Sequence, residues 1–289
     1  MYPTISYLLH DLTGLDIHVP LPTFGFVMAL SFWAAYWVFT LGFKRVMGPA
    51  YPVRRLMDIL LLSCGIIGFA GAVLLAAIEA PDGFGYNGLN YYGGLIFGAV
   101  TYLVITRRKG IPLIVAADVG SPGMMLAYAI GRIGCQLSGD GDWGIVNLSP
   151  TPRWLPVWAW AERYPHNVLR QGQYIPGCGG SYCSELPQPV FPTPLYETIV
   201  CLLLFWALWR LRRHVRPGFV FATYLVSAGL ERFLIELIRI NPRHFFAGLS
   251  LTQAQWISLG LITVGIFVFL YLIYYQSLQK SAIPCRDRS

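Results

Sequence analysis

Seven long apolar runs dominate this chain and restrict it to one class of fold. Each is long enough to cross a hydrocarbon core of about 30 Å, which takes roughly 20 helical residues. We predict membrane-spanning helices near residues 21–43, 56–78, 89–106, 113–135, 194–211, 218–239 and 254–276. Only 12% of the residues are charged, whereas soluble domains carry about a quarter. The expected fold is therefore an all-α membrane bundle that forms one integrated domain over residues 1–289.

The basic residues indicate how this bundle lies in the membrane. Lys and Arg concentrate in four clusters, which follow predicted spans one, three, five and seven. The clusters are Lys44, Arg45, Arg54, Arg55; Arg107, Arg108, Lys109; Arg210, Arg212, Arg213, Arg216; and Lys280, Arg286, Arg288. The positive-inside rule places them in the cytoplasm, with the N-terminus outside and the C-terminus inside. The net charge of +7 then reflects membrane anchoring, and no nucleic-acid partner is expected.

The long segment 136–193 separates predicted spans four and five. It is rich in Pro, Gly, Trp and Tyr, and we expect an ordered outer loop or cap. Because Cys178 and Cys183 would lie in an oxidising compartment, they are predicted to form a disulfide. Within span four, the sequence Gly-Ser-Pro-Gly at 120–123 predicts a break in the helix, since Ser can cap a helix and Pro can start one.

Three arginines lie within or at the outer ends of predicted spans four and six: Arg132, Arg232 and Arg239. An Arg inside a span costs roughly 2.5 to 3.5 kcal/mol, so it usually faces the bundle interior with a partner or a task. Arg232, Glu236 and Arg239 are spaced to share one helical face. Two arginines around one carboxylate would have spare positive charge for the phosphate of a substrate, which Arg binds through two parallel hydrogen bonds. The alternative is an Arg232–Glu236 ion pair, with Arg239 reaching to the interface.

A Gly-rich stretch follows the first of these arginines. Gly131 and Gly134 would let helices approach closely beside Arg132, and we place both glycines at the substrate site. Asp140 and Asp142 follow in a turn whose backbone amides could bind an anion or position a headgroup. Of the two acids, Asp140 is chosen as the candidate catalytic group.

The outer ends of two other predicted spans add candidate site residues. Tyr92, Gly93 and Gly94 open predicted span three, where a Tyr is also typical of the interfacial aromatic belt. Glu197 opens span five, either as a partner of the helix dipole or as part of the polar site. No metal site is expected, because no second ligand pair follows the loop cysteines and His166 alone is insufficient.

Five motifs occur in an order that belongs to a known family. They are YYGG (91–94), ADVGSPGMMLAYAIGRIGCQLSGDGDWG (117–144), PLYE (194–197), GLERFLIELIR (229–239) and LSLTQAQWISL (249–259). Together they resemble phosphatidylglycerol-prolipoprotein diacylglyceryl transferases, over nearly the whole chain. The segment with the pattern Gly-Arg-x-Gly is the signature of that family.

The resemblance implies an enzyme of the bacterial inner membrane, without a cofactor, whose active site faces the outer leaflet. It would transfer the diacylglyceryl group of phosphatidylglycerol, a membrane lipid, to the lipobox cysteine of a prolipoprotein signal peptide. Glycerol phosphate would leave. By matching motif, Arg132 and Arg232 would contact the lipid phosphate and Gly144 would close the signature turn. Glu197 and Arg239 would belong to the polar cavity.

The chain departs from the family pattern at two positions. Tyr92 stands where the family usually has His, and Cys135 stands where it usually has Asn. The candidate bases are then Tyr92, Asp140 and Glu197, with arginines lowering the pKa of the attacking thiol. The chain is interpreted as a divergent member with the same reaction. The alternatives are an anionic-solute transporter and a non-catalytic lipid-binding paralogue.

Overall fold

The computed structural model describes residues 1–15, 19, 21–79, 90–246 and 249–281, and these are mainly α-helical. The helices are α1 (Ile5–Thr13), α2 (Thr23–Met47), α3 (Val53–Ile78), α4 (Tyr91–Arg108), α5 (Leu113–Ser138), α6 (Thr193–Leu211), α7 (Phe219–Ile235) and α8 (Gln253–Ser281). Two antiparallel hairpins pair β1 (Gln173–Tyr174) with β2 (Ser184–Glu185), and β3 (Arg243–Phe246) with β4 (Leu249–Thr252). Short 3-10 helices cover Val157–Ala159 and Glu236–Ile238.

The helices confirm a polytopic membrane bundle. Among the described residues, five segments are long and apolar enough to cross a membrane: α2, α3, α5, α6 and the Gln253–Tyr275 part of α8. The other two predicted spans are also helical, as α4 and α7. These two helices have 18 and 17 residues, and neither meets the combined requirement of length and apolar character. The short helix α1, which precedes the first span, was not predicted.

The predicted break at residues 120–123 is wrong, because α5 runs without interruption through Pro122. A proline inside a helix removes one backbone hydrogen bond and crowds the preceding turn. Here the neighbouring helix restrains the backbone, since a Cβ atom on Gly123 would lie only 2.1 Å from Cε1 of Phe39. The helix ends instead at Gly139, whose φ of 64° is the left-handed conformation that suits a C-cap.

Close helix pairs organise the bundle. α3 packs along α4, α2 along α5, α5 along α6, and α7 along α8. Small residues allow this contact: a Cβ atom on Gly93 would lie 2.3 Å from the backbone oxygen of Gly71, and one on Gly134 would lie 3.3 Å from Val27. One buried apolar cluster fills the space among α2, α3 and α5. It includes Phe43, Val53, Leu56, Met57, Leu60, Ile111, Ala116 and Val119.

The segment between α5 and α6, residues 139–192, forms an ordered unit that we call the cap. Its own small core joins Trp143, Tyr164, Leu186 and Val190. The amino group of Met1 donates to the backbone oxygen of Pro165 over 2.7 Å, which ties the start of the chain to the cap. A disulfide joins Cys178 to Cys183 beside the β1–β2 hairpin, as predicted. The segment has its own packed core, and its predicted place outside the membrane stays a prediction.

The disulfide gives a direct test of the cap. After denaturation without reductant, intact-mass analysis with an alkylating reagent should show two fewer modified thiols than the same analysis after reduction. Replacing Cys178 and Cys183 together by Ser should remove that difference. Alkylation of both cysteines before reduction would show that the bond does not form in the protein.

Candidate active site

Glu197 stands at the centre of the polar site and is fully buried. The prolines around Thr193 start α6, and Glu197 follows one turn later. Its Oε1 atom accepts from Nη1 of Arg232 over 3.2 Å and from Nη1 of Arg239 over 3.0 Å. Its Oε2 atom contacts Nε of Arg132 and accepts from the hydroxyl of Tyr128. The Glu197 side chain therefore belongs to the site, and its contacts go well beyond the helix dipole.

Asp142 is the second acid of the site, and it was not among the predicted catalytic or substrate-binding residues. Its carboxylate contacts Nη1 of Arg132 and Nη2 of Arg239, while its backbone oxygen accepts from the Thr193 hydroxyl over 2.6 Å. Burial would raise the pKa of this carboxyl, but the two guanidiniums outweigh burial and hold the pKa below its usual value. Two acids stand two positions apart in one turn, and the spacing alone could not choose between them.

Asp140 lies in the same turn and has a different environment. Its Oδ1 atom accepts from the backbone N–H of Asp142 over 3.4 Å. Burial raises the pKa of the Asp140 carboxyl, and the nearby Asp142 charge raises it further. Two neighbouring carboxyl groups with opposite pKa shifts can take different roles, one as a fixed anion and one as a proton acceptor.

The prediction that Arg232, Glu236 and Arg239 share one helical face is wrong, because the α-helix does not continue to Arg239. Helix α7 ends at Ile235 and tightens into the 3-10 turn, after which Arg239 is extended. The Arg232–Glu236 ion pair is present, at 2.9 Å between Nη2 and Oε2, and Asn241 donates to the other oxygen of Glu236 over 2.6 Å. Arg239 therefore leaves the predicted face and turns to Glu197, so it does not simply reach for the interface.

These groups form one network, which we call the arginine cluster. It consists of Arg132, Arg232, Arg239, Asp142, Glu197 and Glu236. Three guanidiniums are matched by three carboxylates, so the expected surplus of positive charge is not found in these contacts. Each guanidinium has five N–H donors and contacts two of the carboxylates. The cluster can therefore offer hydrogen bonds to an anion rather than net charge.

Gly144 brings together the backbone segments that carry the cluster. Its N–H donates to the backbone oxygen of Phe191 over 2.8 Å, and the N–H of Ile145 donates to that of Ile238 over 2.8 Å. A Cβ atom on Gly144 would lie 2.6 Å from the Ile238 oxygen. Only glycine fits this approach, so Gly144 positions the turn that holds Asp142.

The remaining predicted site residues lie at helix contacts. Tyr92 is in the first turn of α4, where Asn90 caps the helix by accepting from the N–H of Gly93 over 3.1 Å. Gly93 and Gly94 face α3. Gly131 lies in α5, where an added Cβ atom would contact Met28 of α2. The catalytic role of Tyr92 and the substrate contacts of these glycines stay predictions.

A family profile and several relatives with similar sequences share the same description. The sequence profile of prolipoprotein diacylglyceryl transferase matches residues 12–271. Among relatives named phosphatidylglycerol–prolipoprotein diacylglyceryl transferase, the one from Leptospira interrogans is 28% identical over 65% of this chain. The one from Streptococcus sanguinis is 33% identical over 70% of this chain and 69% of the relative. The one from Staphylococcus haemolyticus is 26% identical over 90% of this chain and 88% of the relative.

The extent of the match differs among these relatives. The chain spans only 60% of the length of the Leptospira protein. The profile nevertheless includes all of α2 to α7 and every residue of the arginine cluster. By this match, the chain belongs to the prolipoprotein diacylglyceryl transferase family.

Proposed function

We propose that this protein transfers the diacylglyceryl group of phosphatidylglycerol to the lipobox cysteine thiol of prolipoproteins, the first step of bacterial lipoprotein maturation. The observation that carries the proposal is the buried arginine cluster in a membrane protein of this family. The names of the relatives support both substrates. An anionic-solute transporter and a non-catalytic lipid-binding paralogue are the alternatives.

The proposed arrangement in the inner membrane has seven spans, with α4 and α7 added to the five long apolar segments. The arginine cluster would face the outer leaflet and the C-terminus would lie in the cytoplasm. Helix direction supports this, because α5 begins beside the basic turn at Lys109 and ends at the cluster, whereas α6 begins at the cluster and ends at Arg210. Clusters of Lys and Arg mark the cytoplasmic side.

Labelling with an impermeant thiol reagent tests this orientation in intact cells. Trp154→Cys, on the cap at a side chain that is 81% exposed, should be labelled from outside. Lys109→Cys, in the α4–α5 turn, should react only after the membrane is opened. The unsubstituted chain gives the background from its own cysteines. Labelling of Lys109→Cys alone in intact cells would contradict the orientation.

The first step of the proposed reaction is phosphate recognition. Arg132 and Arg232 approach Glu197 from α5 and α7, and their planar guanidiniums can each direct two parallel N–H groups at phosphate oxygens. Binding does not need surplus charge, because donors that are already held in place stabilise an anion without reorganising. Glu197 contributes by holding the arginines in place.

In the second step the lipobox sulfur attacks the glycerol carbon that carries the phosphate. A carbon–sulfur bond forms and the carbon–oxygen bond breaks, so the electron pair goes to the departing glycerol phosphate. Negative charge therefore grows on the phosphate oxygen as the bond breaks. N–H donors that strengthen their contact with this oxygen in the transition state would lower the barrier.

The thiol proton needs an acceptor, and Asp140 has the best properties for it. The raised pKa of its partly buried carboxyl makes it a stronger base than an ordinary Asp. Asp142, whose pKa is lowered by two guanidiniums, is suited to remain an anion. Tyr92 is assigned a hydrogen bond to the sulfur or to the lipid ester, because its hydroxyl can both donate and accept.

Mass spectrometry of a lipobox peptide tests the function itself. Incubation with the purified protein and phosphatidylglycerol should add one diacylglyceryl mass to the peptide, which neither a transporter nor a lipid-binding paralogue would produce. Arg132→Lys and Arg232→Lys should each lower turnover at least about tenfold, or roughly 1.4 kcal/mol of transition-state binding, because Lys loses the paired N–H geometry.

Arg163→Lys is the matched control. Arg163 pairs with Glu185 on the cap at 3.9 Å and is half exposed, so its variant should keep normal turnover. Normal turnover in both cluster variants, at equal folded yield, would assign the arginines a structural role only.

The pH profile separates Asp140 from Tyr92 as the base, since the third candidate, Glu197, is assigned to hold the arginines. Asp140→Asn should lower turnover about 10²- to 10⁴-fold and remove the acidic limb of the profile, since a raised carboxyl pKa means that the base is lost as the pH falls through it. Tyr92→Phe should lower turnover about 10- to 100-fold and keep the profile shape. An intact acidic limb in Asp140→Asn, together with complete loss in Tyr92→Phe, would make Tyr92 the base.

A further inference from the structure

A mainly apolar cavity with charged groups in its wall lies at the end of the bundle opposite the arginine cluster. It has a volume of about 170 Å³ and is bounded by the end of α2, the start of α5 and the α6–α7 connection. Asp118 of α5 lines it, and Arg132 lies 14 residues further along the same helix. At 1.5 Å per residue the two ends are about 20 Å apart, so the cavity is separate from the proposed reaction.

Two arginines with uncompensated charge line this cavity. Arg45 comes from α2, and Arg212 directly follows α6. Neither forms an ion pair with another residue in the part of the chain that the structure describes. Arg212 stacks on the ring of Trp209, yet its Nε atom is buried without a hydrogen-bond partner among the described residues.

The surroundings of Arg212 also disfavour its positive charge. Burial lowers the pKa of its guanidinium to about 10, and the positive charges of Arg45 and Arg213 contribute to the lowering. A buried donor without a partner costs free energy, and so do like charges held close together. An anion in the cavity would relieve both costs.

Asp118 is the one acidic side chain among the described residues of the lining, and its hydrogen bonds are already made. The carboxylate of Asp118 accepts from the backbone N–H groups of Gly218 and Phe221. These donors lie at the start of α7 and have no partner within the helix itself. The charge of Asp118 therefore serves the α7 N-terminus. This leaves the facing guanidiniums to an outside ligand.

We propose that this cavity binds the phosphate of an anionic glycerophospholipid from the adjacent leaflet. Arg45 and Arg212 would hold the phosphate, since guanidinium groups match its oxygens. Apolar side chains that include Val46, Val215 and Val220 form most of the wall and suit the glycerol and first acyl carbons of a lipid. A small soluble anion would gain nothing from that wall. The lipid would join α2, α5 and the α6–α7 connection at the end where the proposed topology places the cytoplasm.

Photocrosslinking at a defined position tests the site. Val46, which is 49% exposed and lines the cavity, is replaced by p-benzoylphenylalanine in the full chain. The protein is placed in phosphatidylcholine vesicles with a minor share of phosphatidylglycerol, without peptide. The share of phosphatidylglycerol among the crosslinked lipids should be at least about fivefold its share in the vesicle. This ratio is what the attraction of roughly one arginine for an anionic lipid would produce. The same probe at Leu113, beside the basic α4–α5 turn but outside the cavity lining, should show much less enrichment.

Charge-removal variants separate this cavity from general attraction. Arg45→Gln with Arg212→Gln should abolish the enrichment at position 46. The matched pair Arg107→Gln with Arg108→Gln removes the same charge from the same end and should leave it intact. Loss in both pairs would mean nonspecific attraction and would overturn the site.

Two further outcomes would also overturn the proposal. One is equal enrichment at positions 46 and 113 in the otherwise unchanged chain, a comparison that does not depend on how the arginine variants fold. The other is loss of the phosphatidylglycerol enrichment when millimolar inorganic phosphate is present before and during irradiation, which would identify a site for a soluble anion. Activity of the arginine cluster is not part of the measurement, so failure here leaves the proposed transfer reaction unaffected.

Discussion

The contact of Glu197 with three guanidiniums is the interaction on which the site depends. Each arginine comes from a different place in the chain, namely the end of α5, the end of α7 and the extended residue after the 3-10 turn. Buried charges are stable only when they are paired and hydrogen-bonded, and removing one partner of such a pair costs about 3–5 kcal/mol. Glu197 therefore fixes the relative positions of α5, α6 and α7 as well as the orientation of the arginines.

The cap extends this order beyond the helices. Thr193 and Gly144 hold the turn after α5 against the start of α6, and Asp142 then completes the contacts of Arg132 and Arg239. The loop residue and the helix residues depend on each other, because the carboxylate neutralises guanidiniums that would otherwise repel. This mutual dependence explains how a long irregular segment contributes to a site built on helices.

The sequence predicted the helices and singled out most members of the arginine cluster, whose catalytic role stays a prediction. Apolar length identifies a span, and arginine is so costly in a span that Arg132 and Arg232 had to belong to a polar site. The continuous course of α5 through Pro122 and the contacts of Asp142 and Arg239 could not be predicted. They depend on tertiary packing and on a short 3-10 turn, which local patterns do not encode.

The separation of the cluster residues along the chain has a consequence for how the protein is made. Glu197 lies 35 residues before Arg232, and Asp142 lies 97 residues before Arg239. During synthesis α5 and α6 are complete before the last two arginines leave the ribosome, so the cluster closes only after α7 has been inserted. A nascent chain that stops short of α7 holds Glu197 and Asp142 with Arg132 as their one guanidinium partner from the cluster. Such an intermediate has two carboxylates for one guanidinium, a charge imbalance that the finished cluster does not have.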